Sequence, residues 1–230
     1  MSDTTGEFTS NITRIREIHT PNRDLAKQTA TNRGVTDTGL ISDFAKALTR
    51  KELQGKQIDS LTGLLNRDGF ERRLQEEVNR AKRFGNIMTL VFLDVNDLKK
   101  TNDSQGHEAG DNLIKKVAEI LKTNGRDTDI LARYGEKADE FVVVLTGTNL
   151  DGSKEFWKRL DGDFTESNIH IAAGAAQIDT QTPQTISESK RLADKAMYKA
   201  KTDSKSGNST RPNIMYTTNE LTETEILGIK

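Results

Sequence analysis

The order of the apolar segments is the feature that most constrains how this chain can fold. Short runs rich in β-branched residues indicate buried strands, and longer stretches with apolar residues at helical spacing indicate amphipathic helices. The strands are expected at 87–95, 130–134, 141–145 and 169–178, and the helices between them at 106–122 and 153–160. Flanking helices are expected at 186–201 and after Asn66, which can cap a helix that Gly85 ends. This β-α-β-β-α-β order is that of the split βαβ unit. We therefore predict an α+β fold with a ferredoxin-like βαββαβ core and flanking helices.

The same strand order predicts a cluster of carboxylates. A right-handed crossover places the first two strands parallel, with the third strand between them and antiparallel to both. Asp94, at the end of the first strand, then lies beside Asp139 and Glu140 at the start of the third. An aspartate at a strand end is also a common turn residue. Three converging carboxylates, however, repel one another unless a cation lies between them, and oxygen-only ligands favour Mg²⁺ or Mn²⁺.

The composition excludes several classes of protein. The 230 residues include no cysteine, which excludes a disulfide scaffold, a cysteine nucleophile and a cysteine-ligated metal site. The formal net charge of -1 provides no basic surface for a nucleic acid. No apolar run approaches the ~20 residues that a membrane helix needs, and the first residues, MSDTTGEFTS, lack the pattern of a secretory signal. We therefore expect a cytoplasmic protein with neither a nucleic-acid nor a membrane partner.

The polarity of the chain changes along its length and predicts its domain organisation. Residues 1–40 hold too few apolar side chains to bury a core, which indicates a flexible leader. Residues 41–58 show a short amphipathic pattern and are expected to form a lead-in helix, either part of a dimerising helix or packed on its own domain. The dense apolar pattern of 59–212 indicates the folded domain. Residues 213–230 are expected to form an edge strand and an acidic tail.

Four sequence motifs occur in the order found in one known family. They read DSLTGLLNR at 59–67, DVNDLKKTND at 94–103, GHEAGD at 106–111 and ADKAMYKAK at 193–201. Each motif by itself is weak evidence for that family, whereas four motifs in the right order are specific evidence. From Asp59 to near Asn208, about two thirds of its length, the chain resembles the GGDEF domain of the diguanylate cyclase family. The resemblance implies the nucleotidyl cyclase type of the ferredoxin-like fold.

The resemblance also implies a reaction and a set of site residues. Two GTP molecules, one on each subunit of a homodimer, would condense to cyclic di-GMP with loss of pyrophosphate. Two Mg²⁺ or Mn²⁺ ions would serve each active site, because a triphosphate requires cations. By the matched positions, the metal ligands would be Asp94, Asp139 and the carbonyl of Val95, and the catalytic groups would be Glu140, Asp139 and Lys99. The guanine base would be bound by Asn102 and Asp111, and the phosphates would be bound by Lys99, Lys201 and Lys205.

A further pair of residues resembles the family's product-inhibition site. Arg126 and Asp129 read R-x-x-D, and five residues separate Asp129 from Gly135. By itself this pattern is common in so charged a chain. At this offset the resemblance implies that Arg126 binds guanine or phosphate of cyclic di-GMP.

The signature motif of the family is altered in this chain. The family pattern R-x-G-G-[DE]-E-F appears here as RYGEKADEF at 133–141, so the turn is two residues longer and Ala138 replaces the second glycine. A side chain in this turn can obstruct the approach of backbone amides to the phosphates. Beside the diguanylate cyclase, two alternatives therefore remain: a catalytically silent module that binds cyclic di-GMP or GTP as a sensor, and a pure interaction domain.

Overall fold

The computed structural model describes residues 57–135, 139–178, 180, 186–206 and 213–222. All of these residues belong to one compact unit that begins at Gln57. The predicted leader at 1–40, the predicted lead-in helix up to residue 56 and the tail from residue 223 lie outside the described residues. The proposed division of the chain into leader, helix, domain and tail therefore stays a prediction.

The described residues form five helices and five strands, and one of the helices, Leu98–Gln105, was not expected from the sequence. Helices α1 to α5 span Arg67–Phe84, Leu98–Gln105, His107–Asn124, Leu150–Glu166 and Ile186–Ser206. Strands β1 to β5 span Met88–Val95, Ile130–Arg133, Glu140–Thr146, Ile171–Ile178 and Ile214–Thr217, and a short 3₁₀ helix, Thr218–Glu220, follows β5. The strand β5 corresponds to the predicted edge strand.

The strands form one mixed sheet in the order β2-β3-β1-β4-β5. Strand β3 is antiparallel to both β1 and β2, β4 is antiparallel to β1, and β5 is parallel to β4. The predicted ferredoxin-like arrangement is confirmed, because β3 lies between the parallel strands β1 and β2. In this register Asp94 pairs with Glu140, and the amide of Val95 donates a hydrogen bond to the carbonyl of Asp139 at 2.9 Å.

Helices cover both faces of the sheet and form two hydrophobic clusters. Side chains of α3 and α4 pack on one face, where Val91 and Leu93 of β1 point. Side chains of α1 and α5 pack on the other face, where Leu90 and Phe92 point. All eight residues of β1 are consequently buried, which explains why its sequence is apolar apart from Thr89 and Asp94.

The ends of α1 are determined by local chemistry. The side chain of Asn66 accepts a hydrogen bond from the amide of Gly69 at 3.0 Å, and Gly85 ends the helix with a left-handed φ of 68°. Both caps were predicted from the sequence. Helix α2 was not predicted, because its sequence LKKTNDSQ is polar and Leu98 is its one buried residue. The sequence also predicted a shorter α4, since its last turns have few apolar residues.

Gly174 allows α5 to lie unusually close to the sheet. A Cβ atom at this position in β4 would lie 2.1 Å from the amide nitrogen of Met197 and 2.2 Å from the carbonyl oxygen of Ala193. Both atoms belong to the backbone of α5, so neither can move without displacing the helix. The absence of a side chain at Gly174 therefore sets the distance between α5 and β4.

We expect Gly174→Ala to destabilise the protein by about 3 kcal/mol, the upper end for overpacking a rigid core. Urea unfolding followed by circular dichroism measures the loss. Gly162→Ala is the matched control, since a Cβ there, on α4, meets no described residue within 4 Å. That control should stabilise the protein by about 0.5–1 kcal/mol, because alanine has the higher helix propensity. Equal stability of the two variants would contradict the proposed close contact.

Candidate functional site

Three carboxylates converge where β1 ends and β3 begins. One oxygen from each of Asp94, Asp139 and Glu140 lies within 4.8 Å of the others. Asp94 is 2% exposed, and Asp139 and Glu140 are half-buried. The Oδ1 atoms of Asp94 and Asp139 are buried without a hydrogen-bond partner among the described residues. This oxygen-only donor set with two unpartnered buried atoms fits a divalent metal ion such as Mg²⁺.

The cluster is electrostatically unfavourable by itself. Burial raises the pKa of Asp94, the charge of Asp139 raises it further, and the hydrogen bond and charge of Lys201 oppose the rise. Burial also raises the pKa of Glu140, and the neighbouring charges of Asp139, Asp94 and Asp194 add to the effect. A bound cation would relieve this repulsion, since it favours the ionised form of every carboxylate that it contacts.

Lys201 contacts the cluster directly. Its ammonium donates a hydrogen bond of 2.6 Å to Oδ2 of Asp94, and Oδ1 has no hydrogen-bond partner in the part of the chain that the structure describes. The sequence predicted that Lys201 faces the phosphates, and this contact with a carboxylate was not expected. Because an ammonium has three N–H donors, Lys201 can hold Asp94 and still donate to another group in the cavity that it lines.

A cavity of about 570 Å³ opens beside the carboxylates. Asp94, Val95 and Asp139 line the end of the cavity at the carboxylate cluster. Four lysines among the described residues also line it, namely Lys99 and Lys100 from α2 and Lys201 and Lys205 from α5, together with the acidic side chains of Asp97 and Asp103. The cavity therefore combines a cation-binding end with four ammonium groups, which suits a polyphosphate bound together with a metal ion.

The predicted guanine ligands lie at the junction of α2 and α3. Asn102 is half-buried on α2, and Asp111 is exposed on the first turns of α3. The Oδ1 atom of Asn102 packs against Gly110, where a Cβ would approach it to 1.9 Å. The structure thus brings Asn102 next to Gly110, the residue that precedes Asp111. Neither Asn102 nor Asp111 is among the residues that line the cavity.

Arg126 and Asp129 line a second, separate cavity of about 330 Å³. Asp129 has a structural role there, since its side chain accepts hydrogen bonds from the amides of Arg126 at 2.9 Å and Thr146 at 3.1 Å. Arg159 of α4 also lines this cavity, and the sequence did not single it out. No motif surrounds Arg159, so the packing of α4 was needed to place it near Arg126.

The ends of the signature turn are well anchored. Arg133 at the end of β2 forms an ion pair with Asp59 at 3.3 Å, and Asp59 also accepts hydrogen bonds from the amide and hydroxyl of Thr62. The amide of Tyr134 donates to the carbonyl of Glu140 at 2.8 Å. Glu136, Lys137 and Ala138, on which the predicted effect of the longer turn depends, lie outside the described residues.

The electrostatics of the cluster predict that Glu140→Gln stabilises the metal-free protein at neutral pH. The raised pKa of Glu140 means that its ionised form destabilises the fold. That penalty is complete above the raised pKa and disappears as the pH falls towards the ordinary value of 4.5. The melting temperature in EDTA should therefore be higher for Glu140→Gln at pH 7.5, and the difference should vanish near pH 4.5.

Glu119→Gln, at an exposed position on α3, is the control for this comparison. It should leave the melting temperature nearly unchanged, because exposed ion pairs contribute little. A lower melting temperature for Glu140→Gln than for the wild type at pH 7.5 would contradict the repulsion inferred from the geometry.

Within the described residues, no helix combines the length and apolar character that crossing a bilayer requires.

Comparison with known proteins places this geometry in a family. Residues 56–207 match the family described as "Diguanylate cyclase, GGDEF domain". The diguanylate cyclase DgcP of Pseudomonas aeruginosa is 35% identical over 150 residues, which cover 62% of this chain and 22% of the relative. The diguanylate cyclase DgcS of Shewanella oneidensis is 31% identical over 170 residues, which cover 70% of this chain and 55% of the relative. The chain thus spans between about a fifth and just over half of these relatives.

Solved structures show the same fold. A microbial GGDEF domain studied with bis-(3,5)-cyclic di-GMP is 29% identical, with a TM-score of 0.60 over 70% of this chain and 97% of that one. The GGDEF domain of TpbB (YfiN) from Pseudomonas aeruginosa is 27% identical, with a TM-score of 0.59 over 74% of this chain and 99% of that one. The family match covers well over half of the chain, and the chain belongs to the GGDEF domain family.

Proposed function

We propose that this protein is a diguanylate cyclase, which condenses two GTP molecules to cyclic di-GMP with release of pyrophosphate. The observation that carries the proposal is the carboxylate cluster of Asp94, Asp139 and Glu140 at the acidic end of a lysine-lined cavity. The curated relatives DgcP and DgcS are themselves named diguanylate cyclases, which supports the same chemistry here.

The unpartnered carboxylate oxygens are the groups that would hold divalent metal ions. Asp94 and Asp139 supply buried oxygens, and the carbonyl of Val95, next in the chain to Asp94, is the third expected ligand. We assign two Mg²⁺ or Mn²⁺ ions to each active site. When bound, such ions neutralise phosphate charge and increase the electrophilicity of the α-phosphorus.

The lysines of the cavity would bind the triphosphate. Lys99, Lys201 and Lys205 line its wall, and each carries a positive charge suited to phosphate oxygens. Lys205 stands where the family pattern has an arginine, so the charge is kept and the bidentate geometry is lost. These lysines would also stabilise the negative charge that develops on the departing pyrophosphate.

Glu140 is the residue that we assign to proton transfer. In the reaction, the 3′-oxygen of one nucleotide forms a bond to the α-phosphorus of the other, and the bond from that phosphorus to the pyrophosphate oxygen breaks. The 3′-hydroxyl proton must leave during this step. Burial and neighbouring carboxylates raise the pKa of Glu140, which makes its carboxylate a stronger base than an exposed one.

Guanine recognition and dimerisation complete the proposal. A carboxylate accepts hydrogen bonds from N1–H and the amino group of guanine, and adenine lacks this donor pair. We assign this role to Asp111, with Asn102 beside it at the α2–α3 junction. Because each 3′-hydroxyl attacks the nucleotide held by another site, two protomers must face each other, and we propose that the active form is a homodimer.

The proposal predicts that the wild-type protein converts GTP to cyclic di-GMP when Mg²⁺ or Mn²⁺ is present. Asp94→Asn and Glu140→Gln should each lower the rate at least about 100-fold, the scale of losing a catalytic electrostatic group. Chromatography of the nucleotides after incubation measures the product. Glu119→Gln should retain the wild-type rate. Product formation in excess EDTA, or full activity of Asp94→Asn, would contradict the assignment.

A second candidate function is a catalytically silent module that senses cyclic di-GMP. The observation that favours it is the second cavity, which places Arg126 and Arg159 together and does not depend on the lengthened turn. Guanidinium groups form paired hydrogen bonds with phosphate and with guanine edges. In an active cyclase the same cavity would bind the product and inhibit the enzyme, so the two candidates share this site and differ in turnover.

The second cavity predicts a specific binding result. Arg126→Ala and Arg159→Ala should each weaken cyclic di-GMP binding by about tenfold or more, the effect of losing a charge-assisted hydrogen bond. Isothermal titration calorimetry measures the affinity. Arg80→Ala, at an exposed position on α1, is the control and should bind as the wild type does. Unchanged affinity in Arg159→Ala would remove this residue from the site, and absence of binding by the wild type would eliminate the sensor function.

A further inference from the structure

Tyr134, the residue before the signature turn, is held by an aromatic and cationic environment. Its ring makes edge-to-face contacts with Phe70 of α1, at a centroid distance of 5.2 Å, and with Phe92 of β1, at 5.3 Å. The guanidinium carbon of Arg67 lies 5.2 Å from the ring centroid of Tyr134. Contacts from three directions therefore restrict the ring at the base of the turn.

The hydroxyl of Tyr134 enters a charged network that joins α1 to α5. It donates a hydrogen bond of 2.7 Å to Oε1 of Glu71, and the ammonium of Lys190 donates to the same oxygen at 2.6 Å. Lys190 is also 5.6 Å from the ring centroid of Phe70 and 5.8 Å from that of Tyr134. We call Glu71, Tyr134 and Lys190 the latch.

The protonation states of the latch match these hydrogen bonds. Burial alone would raise the pKa of Glu71, but the hydrogen bonds from Lys190 and Tyr134 outweigh it and bring the pKa below the usual value. Burial, together with the Glu71 carboxylate, raises the pKa of Tyr134 to about 12. At neutral pH Glu71 is therefore an ionised acceptor and Tyr134 a protonated donor, so the hydrogen bonds of the latch are charge-assisted.

The latch is connected to Glu140 through the backbone. The amide of Tyr134 donates to the carbonyl of Glu140 at 2.8 Å, and the amide of Gly135 approaches the same oxygen at 3.4 Å. A Cβ at Gly135 would lie 2.6 Å from Oε2 of Glu140, so the glycine backbone packs directly against the carboxylate. Movement of Tyr134 would consequently displace both the backbone and the side chain of Glu140.

The length of the turn gives such an anchor a function. A two-residue hairpin sets the register of its strands by itself, whereas a longer connection leaves its ends less constrained. Here the connection between Tyr134 and Glu140 contains two residues more than the family pattern. The latch holds the first end of that connection against α1 and α5, outside the residues that line the main cavity.

We propose that the latch of Glu71, Tyr134 and Lys190 is a positioning group that keeps Glu140 in its catalytic place despite the lengthened turn. This inference rests on the proposed cyclase function. None of the three latch residues is among those that line the main cavity, so the latch would act through Tyr134 and Gly135. Its effect should appear in the turnover rate and not in the affinity for GTP.

Hydrogen–deuterium exchange of the free protein tests the structural part of the proposal. Tyr134→Phe removes one hydroxyl and keeps the ring, and Lys190→Met removes the charge and keeps most of the stem. Both variants should increase exchange in the peptide that contains 134–141. Arg191→Met is the matched control, because Arg191 neighbours Lys190 and pairs with Glu188 on the exposed surface of α5. Exchange in 134–141 that is unchanged by both latch variants would overturn the proposal.

Steady-state kinetics with GTP test the positioning role. We expect kcat to fall about tenfold in Tyr134→Phe and Lys190→Met, the scale of losing one charge-assisted hydrogen bond, with KM unchanged. Lys190→Arg keeps the charge and should recover most of the rate. Val78→Ala, a buried change on α1 outside the latch, controls for lost stability and should lower the melting temperature without lowering kcat.

The outcomes separate this inference from the proposed function. Faster exchange together with lower kcat and constant KM supports the latch as a positioning group. Faster exchange with wild-type kcat, or an equal loss of kcat in Val78→Ala, overturns it. A wild-type protein without turnover refutes the cyclase assignment and the catalytic role of the latch together, while the exchange result still decides whether the latch holds the turn.

Discussion

The burial of a carboxylate at the end of the central strand is the constraint on which the candidate site depends. Helices cover β1 on both faces, so Asp94 has 2% of its surface exposed and cannot rely on water to stabilise its charge. Lys201 offers one compensating hydrogen bond, whereas Asp139 repels Asp94 and both of these carboxylates repel Glu140. The fold therefore keeps an arrangement that is unfavourable by itself and that a bound cation would relieve, as is common where stability is given up for function.

Helix α5 connects the separate parts of this site. It carries Lys201 and Lys205, which line the cavity beside Asp94 and Asp139, and it also carries Lys190 of the latch. One helix therefore supplies positive charge both at the carboxylate cluster and at the latch. Its position follows from Gly174, which lets the helix backbone contact β4. A lateral shift of α5 would thus move Lys201, the partner of Asp94, together with Lys190 of the latch. This couples the geometry of the cavity to that of the turn.

Much of the fold was predictable because its signals are local. The apolar runs of β1, β3 and β4, together with the caps at Asn66 and Gly85, read directly as elements and boundaries. The convergence of Asp94 with Asp139 and Glu140 was predictable too, since strand order and the crossover rule determine which strand ends meet. Helix α2 was missed, because a short polar helix has no apolar periodicity and is stabilised by its packing against α3.

The sequence by itself determined the family, the order of elements and the convergence of the three carboxylates. The reason is that motifs, periodicity and chain connectivity can all be read from the linear order of the residues. Tertiary structure alone decided which side chains of distant elements share a partner. The hydrogen bond of Lys201 to Asp94, the placement of Arg159 near Arg126, and the contact of Lys190 with Glu71 each join residues on different elements. Such contacts depend on how closely helices pack on the sheet to within an ångström or so, and no spacing along the chain encodes that distance.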